Sequence, residues 1–120
     1  MKIYQGQRPA DDTRSVGDGR VVVIENGRSR PLYHVKLHSD ALEWSYAGSG
    51  PADTALSILA DYFGERPTSK QLDHGQCQCW RYHQTFKWAL IAPAPHEGFT
   101  ITEEQIATWL KEQEQEEREA

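Results

Sequence analysis

The chain has 120 residues, the length of one domain, and its 38% hydrophobic and 26% charged residues are the balance of a folded globular protein, which excludes a disordered one. The net charge of −5, from 18 acidic and 13 basic residues, argues against nonspecific binding to nucleic acid, which requires clustered lysine and arginine. No apolar run approaches the roughly 18 residues of a membrane span, and the first residues lack the apolar centre of a signal peptide. We therefore expect a cytoplasmic protein that does not bind membranes.

The first half of the chain has the pattern of an antiparallel sheet. Residues 20–25 are rich in β-branched side chains, and Asn26-Gly27 then forms the typical two-residue turn of a hairpin, because both residues tolerate a positive φ. The apolar residues Leu42, Trp44 and Tyr46 alternate with the polar residues Glu43 and Ser45, which indicates a half-buried strand. The predicted strands are an edge strand at 2–5, strands at 20–25 and about 31–38, and a strand at 42–46.

The second half has the pattern of helices. The first predicted helix has Gly50 as its N-cap and ends at Gly64. Asp53, Ser57 and Asp61 lie on the face opposite its apolar stripe, and in a surface helix that face is solvated. Two further helices are predicted, one over about 80–92 and one that begins at the capping box Thr102-Glu103-Glu104-Gln105.

These elements predict an α+β fold, a small antiparallel β-meander of three to four strands packed with two to three α-helices. Residues 1–110 are predicted to form a single domain and residues 111–120 an acidic helix end, because no apolar residue lies between Leu110 and Ala120. This end is typical of a solvated surface, and it is also a patch that could dock on a basic partner. The predicted core consists of Trp44, Tyr46, Leu56, Leu59, Phe63, Phe86, Leu90, Ile106 and Trp109.

Residues 42–63 contain a Trp-Ser-Tyr-Ala-Gly-Ser-Gly-Pro run that continues into an Ala/Leu-rich segment. This stretch resembles the hallmark of a small domain family of unknown function scattered through bacteria, archaea, plasmids and phages, in which an aromatic-Gly-Tyr-x-Gly-Ser-Gly-Pro turn opens a helix. Phe86-Lys87 and the segment from Ile101 to Leu110 also resemble the family, whereas Ser45 stands where a small residue, often glycine, is expected. The resemblance implies a fold and a mobile-element setting, and it implies no activity.

The turn Gly48-Ser49-Gly50-Pro51 is a candidate ligand site. A strand that leads through glycines into a helix N-terminus exposes backbone N–H groups that can hold a phosphate. The turn lacks the Gly-Lys-Ser/Thr of a P-loop, Pro51 removes a donor, and Asp53 would repel an anion. Gly48, Ser49 and Gly50 would bind the ligand, and the alternative is a tight connection in which the glycines only allow close packing.

His74, Cys77, Cys79 and His83 are four potential Zn²⁺ ligands within ten residues. They would form a closed structural site that holds a loop against the second helix. The one-residue spacing of the cysteines is unusual for structural zinc, and it is also too short for an unstrained disulfide. The alternative is two free thiols of a reducing compartment beside two surface histidines, and no other cofactor is predicted.

No catalytic motif is present, neither a Gly-x-Ser-x-Gly elbow nor a His-Glu-x-x-His pair, and we predict no catalytic residue. An enzyme would need His34, His38 or His83 to meet a carboxylate in a cleft.

The leading functional hypothesis is a non-enzymatic protein-interaction module of the mobile-element type, an accessory or anti-defence factor such as a CRISPR inhibitor. It rests on the small size, the missing catalytic set, the acidic balance and the setting that the resemblance implies. The predicted partner is another protein. The alternatives are a small-ligand or nucleotide-binding module that uses the turn at 48–51, and a small enzyme.

Overall fold

The computed structural model describes residues 1–8 and 20–119. The fold is α+β, as predicted, with a four-stranded antiparallel sheet and helices. In chain order the elements are β1 (Lys2–Gln7), β2 (Arg20–Glu25), β3 (Arg28–Pro31), α1 (Ser49–Phe63), α2 (Ser69–Asp73), α3 (Gln78–Phe86), a π-helix (Lys87–Ile91), β4 (Gly98–Thr102) and α4 (Glu103–Glu119).

The sheet has the strand order β3-β2-β1-β4, and every neighbouring pair is antiparallel. The strand at 20–25 and its hairpin turn are confirmed. The prediction that the first strand lies at an edge is wrong, because β4 returns from the far end of the chain and pairs Ile101 with Tyr4. The five residues of β4 are too few to give a distinct strand pattern next to the capping box, so this pairing was not predicted.

The return strand of the hairpin is present, but it lies at Arg28–Pro31 rather than at about 31–38. The strand predicted at 42–46 is wrong, because residues 32–48 contain no strand. Their backbone donors bond outside the sheet: the N–H of Val35 donates to Ser57 Oγ at 2.9 Å, and the N–H of Ser45 donates to the Ile91 carbonyl at 3.0 Å. Because polar groups of other elements accept hydrogen bonds from these backbone N–H groups, the segment remains irregular although apolar and polar residues alternate in it.

The first predicted helix is present as α1, with Gly48 rather than Gly50 as its N-cap. Gly64 ends it in the left-handed conformation with a φ of 69°, as its position predicted. The second predicted helix is present in two parts, since α3 widens into the π-helix at Lys87. Pi-helical turns of this kind are frequent at functional sites.

The predicted capping box of α4 is confirmed. The N–H of Thr102 donates to Gln105 Oε1 at 2.8 Å, and the N–H of Gln105 donates to Thr102 Oγ1 at 3.1 Å. The short helix α2 was not predicted, although Thr68 and Gln71 form a second capping box at its start. The buried side chains of α4 end at Leu110.

The core joins the sheet to the helices around α1, which is buried from Gly50 to Ala60. Tyr46 was predicted in the core but is 47% exposed, since no strand forces the alternation of residues 42–46. Phe63 and Leu90 are only partly buried. The remaining predicted core residues are buried: Trp44, Leu56, Leu59, Phe86, Ile106 and Trp109.

None of the described helices combines the length and the apolar character that a membrane-spanning helix requires.

We predict that Gly98→Ala lowers the free energy of unfolding by about 3 kcal/mol. Gly98 has a φ of 155°, and an added Cβ would lie 2.3 Å from the carbonyl oxygen of Gly6 across the β1–β4 pair. Gly27→Ala is the control, because its φ is also positive but its Cβ would meet no described residue within 4 Å. It should lower the free energy of unfolding by only about 1 kcal/mol. Equal losses of unfolding free energy in Gly98→Ala and Gly27→Ala, measured by urea unfolding, would contradict the prediction.

Candidate functional site

The polar residues of α1 form a row along one side of the helix, which we call the polar row. Asp53, Ser57 and Asp61 are spaced by four residues and therefore lie one above the other. The prediction that this side faces solvent is wrong, because Asp53 and Ser57 are buried and Asp61 is partly buried. The polar row instead binds the sheet and the irregular segment that follows it.

Asp53 is the most heavily bonded member of the polar row. Its Oδ1 accepts the N–H of His38 at 2.9 Å, and its Oδ2 accepts the N–H of Ser39 at 3.1 Å. The N–H of Leu37 lies within 3.4 Å of both oxygens. Nε2 of His34 lies 2.8 Å from Oδ2. A fully buried carboxylate requires such partners, since they replace the water that it loses.

Asp61 connects the other end of the polar row to the sheet. It accepts the hydroxyl of Tyr4 at 2.8 Å, and it pairs with Lys2 at 3.1 Å and Arg30 at 2.8 Å. Burial acts to raise the pKa of Asp61, but the hydrogen bonds from Tyr4, Arg30 and Lys2 outweigh it and hold that pKa below the ordinary value. β1, β3 and α1 thus share one ionised carboxylate.

A cleft of about 370 Å³ lies on the His34 side of this segment. Its floor contains the buried residues Val35 and Leu72. His34 is 17% exposed in its wall, held from behind by Asp53. The lining residues are Tyr33, His34, Val35, Lys36, Arg66, Pro67, Ser69 and Leu72.

On the other side of the segment, His38 stacks on His83 with ring centroids 5.3 Å apart. Nδ1 of His83 lies 2.6 Å from the Trp80 carbonyl, which can only accept, so Nδ1 carries the proton. Nε2 of His83 lies 3.1 Å from Nε2 of His38. Burial and the neighbouring His38 lower the pKa of His83 against the opposing effect of the Trp80 bond, so this imidazole is neutral at pH 7.

Two exposed tryptophans lie on α3 and the π-helix, the elements that follow this histidine pair. Trp80 packs beside His83, and Trp88 follows two turns later with Lys87 Nζ 4.8 Å from its ring centroid. Leu37 precedes His38 and is also exposed. We call the surface formed by Leu37, His38, Trp80 and Trp88 the tryptophan face. The largely buried Lys87 packs against it at Trp88.

The four predicted zinc ligands do not meet as a group in the described part of the chain. Cys77 and Cys79 have ligand atoms within 4.8 Å of each other, and the third residue of their cluster is Glu65. The Glu65 carboxylate also accepts the N–H of Gln78 and of Cys79, at the start of α3. Burial, with Glu65 and Cys77 nearby, raises the pKa of the Cys79 thiol. Zinc binding here stays a prediction, and a cysteine–cysteine–glutamate set fits the geometry better than one with His74.

The predicted ligand turn is covered by a side chain. A Cβ on Gly48 would lie 2.6 Å from the ring of Tyr46, and one on Gly50 would lie 2.8 Å from Glu43 and 3.1 Å from the Tyr46 hydroxyl. Gly50 is buried, and Ser49 is exposed. This geometry favours the alternative in which the glycines allow close packing, and ligand binding at 48–50 stays a prediction.

Sequence reasoning missed the two residues that organise the site most, Asp53 and Arg66. Asp53 was considered only as a helix residue that would repel an anion at the 48–51 turn, and its four-residue spacing to Ser57 was the available signal. Arg66 lies after the helix end at Gly64 and has no local motif, so only the folded chain brings it to Tyr33.

Comparison with known proteins identifies the family. Residues 4–112 match the model of a family of unknown function, DUF6166, and the chain belongs to that family. This confirms the predicted membership of a domain family of unknown function, while the mobile-element setting stays a prediction. No curated protein and no solved structure matches the chain.

We predict that Asp53→Asn lowers the free energy of unfolding by about 3 kcal/mol, since an amide turns its N–H₂ toward backbone donors that need an acceptor. Asp40→Asn is the control, because Asp40 lies in the same segment with a fully exposed side chain. Its urea midpoint should match that of the wild type. A small effect of Asp53→Asn would show that the carboxylate does not organise the segment.

A second prediction concerns pH. The unfolded chain protonates His83 near the ordinary pKa of about 6.5, whereas the folded chain protonates it only at lower pH. The stability that comes from neutral His83 is therefore complete above about pH 6.5 and is lost as the pH falls through that value toward the lowered pKa.

His83→Asn removes this titration and keeps a donor for the Trp80 carbonyl. We expect it to reduce the loss of unfolding free energy between about pH 8 and about pH 5.5. His74→Asn, which replaces an exposed histidine, should retain the wild-type slope. Identical slopes in wild type and His83→Asn would contradict the assignment.

Proposed function

We propose that this member of the DUF6166 family is a non-enzymatic interaction module whose tryptophan face binds an apolar segment of a partner protein flanked by acidic side chains. The observation that carries the proposal is the exposure of two of the four tryptophans, 40% for Trp80 and 62% for Trp88. Tryptophan is enriched among the residues that dominate binding energy at protein interfaces. A domain that needed these side chains only for its core would have buried them.

The charge around the tryptophan face supports an acidic partner. The chain has 18 acidic residues, yet none of them lies between His74 and His96, the segment that contains α3 and the π-helix. Arg81 in this segment is paired with Glu117 of α4 at 2.7 Å, and Lys87, which is only 8% exposed, places its Nζ 4.8 Å from the Trp88 ring centroid. Exposed tryptophans in a segment without any acidic residue favour a partner that combines apolar and acidic groups.

The aromatic groups of the face are held in place before any partner binds. Trp80 packs against Gly75, where an added Cβ would lie 2.9 Å from the indole, and the stacked pair of His38 and His83 packs beside it. Fewer side-chain conformations are then lost on binding, which increases affinity. The accessory or anti-defence role, for example inhibition of a CRISPR system, remains a prediction, because it depends on the identity of the partner protein.

We predict that Trp88→Ala weakens partner binding at least tenfold and leaves the melting temperature unchanged, because the side chain is mostly exposed. The tagged chain is used as bait in lysate of the cells that encode it, and bound proteins are quantified by mass spectrometry. The dissociation constant of the recovered partner is then measured at low and high salt, and it should rise with salt.

Tyr33→Ala is the matched control, since Tyr33 is an exposed aromatic residue in the separate cleft. A stoichiometric partner that is kept by Tyr33→Ala and lost by Trp88→Ala supports the proposal. Recovery that Trp88→Ala does not change, or a bait that captures no stoichiometric partner, would overturn it.

A further inference from the structure

We propose that the cleft between the 33–36 segment and the start of α2 binds a phosphate monoester, with Arg66, Lys36 and His34 as the groups that contact the phosphate. This site is separate from the tryptophan face and does not depend on the proposed protein partner. The argument rests on three cationic or protonatable groups that converge on one cleft and have donors to spare.

Arg66 has unused donors. Its guanidinium carbon lies 3.9 Å from the ring centroid of Tyr33, and within residues 1–8 and 20–119 it has no carboxylate partner. The stacking orients the planar group, while its N–H groups stay free to bind an oxyanion in a forked geometry. An arginine without an acidic partner is notable in a chain with five more acidic than basic residues.

Lys36 adds a second positive charge. Its only ion pair among the described residues is a 3.9 Å contact with Asp40, whose side chain is fully exposed. Such a surface pair contributes little and is easily exchanged for a bound anion. Among the residues that the structure describes, no acidic one lines the cleft, so none of these lining side chains repels a phosphate.

His34 is the third group, and the polar row fixes it. Its Nε2 lies against the buried Asp53 carboxylate, and its Nδ1 has no hydrogen-bond partner in the part of the chain that the structure describes. When the ring is protonated, Nε2–H donates to Asp53 and Nδ1–H can donate to a second acceptor.

The rest of the cleft suits a phosphate that carries an organic group. The buried side chains of Val35 and Leu72 give it an apolar floor, and Ser69 adds a hydroxyl at the rim. The volume of about 370 Å³ lies at the small end of ligand sites. A planar guanidinium, an ammonium and an imidazole together match the several oxygens of a phosphate better than the two oxygens of a carboxylate.

The experiment titrates the full chain with four probes at constant ionic strength: AMP, ribose 5-phosphate, inorganic phosphate and acetate. Binding is followed by calorimetry and by the histidine side-chain signals in ¹H–¹⁵N NMR spectra. We expect saturable binding of at least one phosphate monoester at or below about 1 mM, tighter than that of acetate, with a shift of the His34 signals.

Arg66→Gln should weaken the monoester about tenfold or more. Arg28→Gln is the matched control, because Arg28 is an exposed arginine of β3 that lies outside the cleft, and it should bind like the wild type. Asp53→Asn is not used here, since it is expected to destabilise the fold.

The proposal would be overturned by no saturable binding of any probe, by equal binding to Arg66→Gln and wild type, or by acetate bound as tightly as the phosphate monoesters. Binding of inorganic phosphate alone would also overturn it, because the proposed ligand includes an organic group on the apolar floor. None of these results bears on Trp88, so the protein-binding proposal is tested separately.

Discussion

The buried carboxylate of Asp53 is the constraint on which the rest of the site depends. It lies on α1 without access to water, and the backbone of residues 37–39 together with His34 supplies its hydrogen bonds. Such a group is stable in the interior only while all of these partners are present. The segment after the sheet therefore has one permitted course over α1, and this course separates the cleft from the tryptophan face.

The two surfaces differ in the chemistry that they offer. The cleft presents Arg66, Lys36 and an imidazole held by Asp53, and these groups suit a small anion. The tryptophan face presents large exposed rings on the π-helix and α3, and these suit a protein. His34 and His38 are four residues apart in sequence, and the same carboxylate directs them to opposite neighbours. The contact between His34 and Asp53 at the cleft meets the condition that the sequence set for an enzyme, and our proposal assigns this contact to phosphate binding.

Several features of the fold could be predicted from local sequence. The hairpin at Asn26-Gly27, the αL end of α1 at Gly64 and the capping box at Thr102 depend on backbone preferences of the residues themselves. The predicted strand at 42–46 was wrong because alternating apolar and polar residues are a weak signal when no neighbouring strand pairs with them. The side chain of Glu43 instead turns inward and lies 2.8 Å from Arg8. The fold separates the predicted zinc ligands. Cys79 lies beside Glu65, whereas His83 lies beside His38.

The sequence by itself determined the α+β class, the hairpin, the main helices and most of the buried aromatic core, because these follow from short-range periodicity and turn chemistry. Only the tertiary structure decided that β1 is central, that the polar row of α1 is buried, and that Arg66 reaches the ring of Tyr33. Each of these depends on contacts between residues far apart in the chain. A polar residue on a helix has the same local pattern whether water or a distant backbone N–H satisfies it, and only the folded chain distinguishes the two.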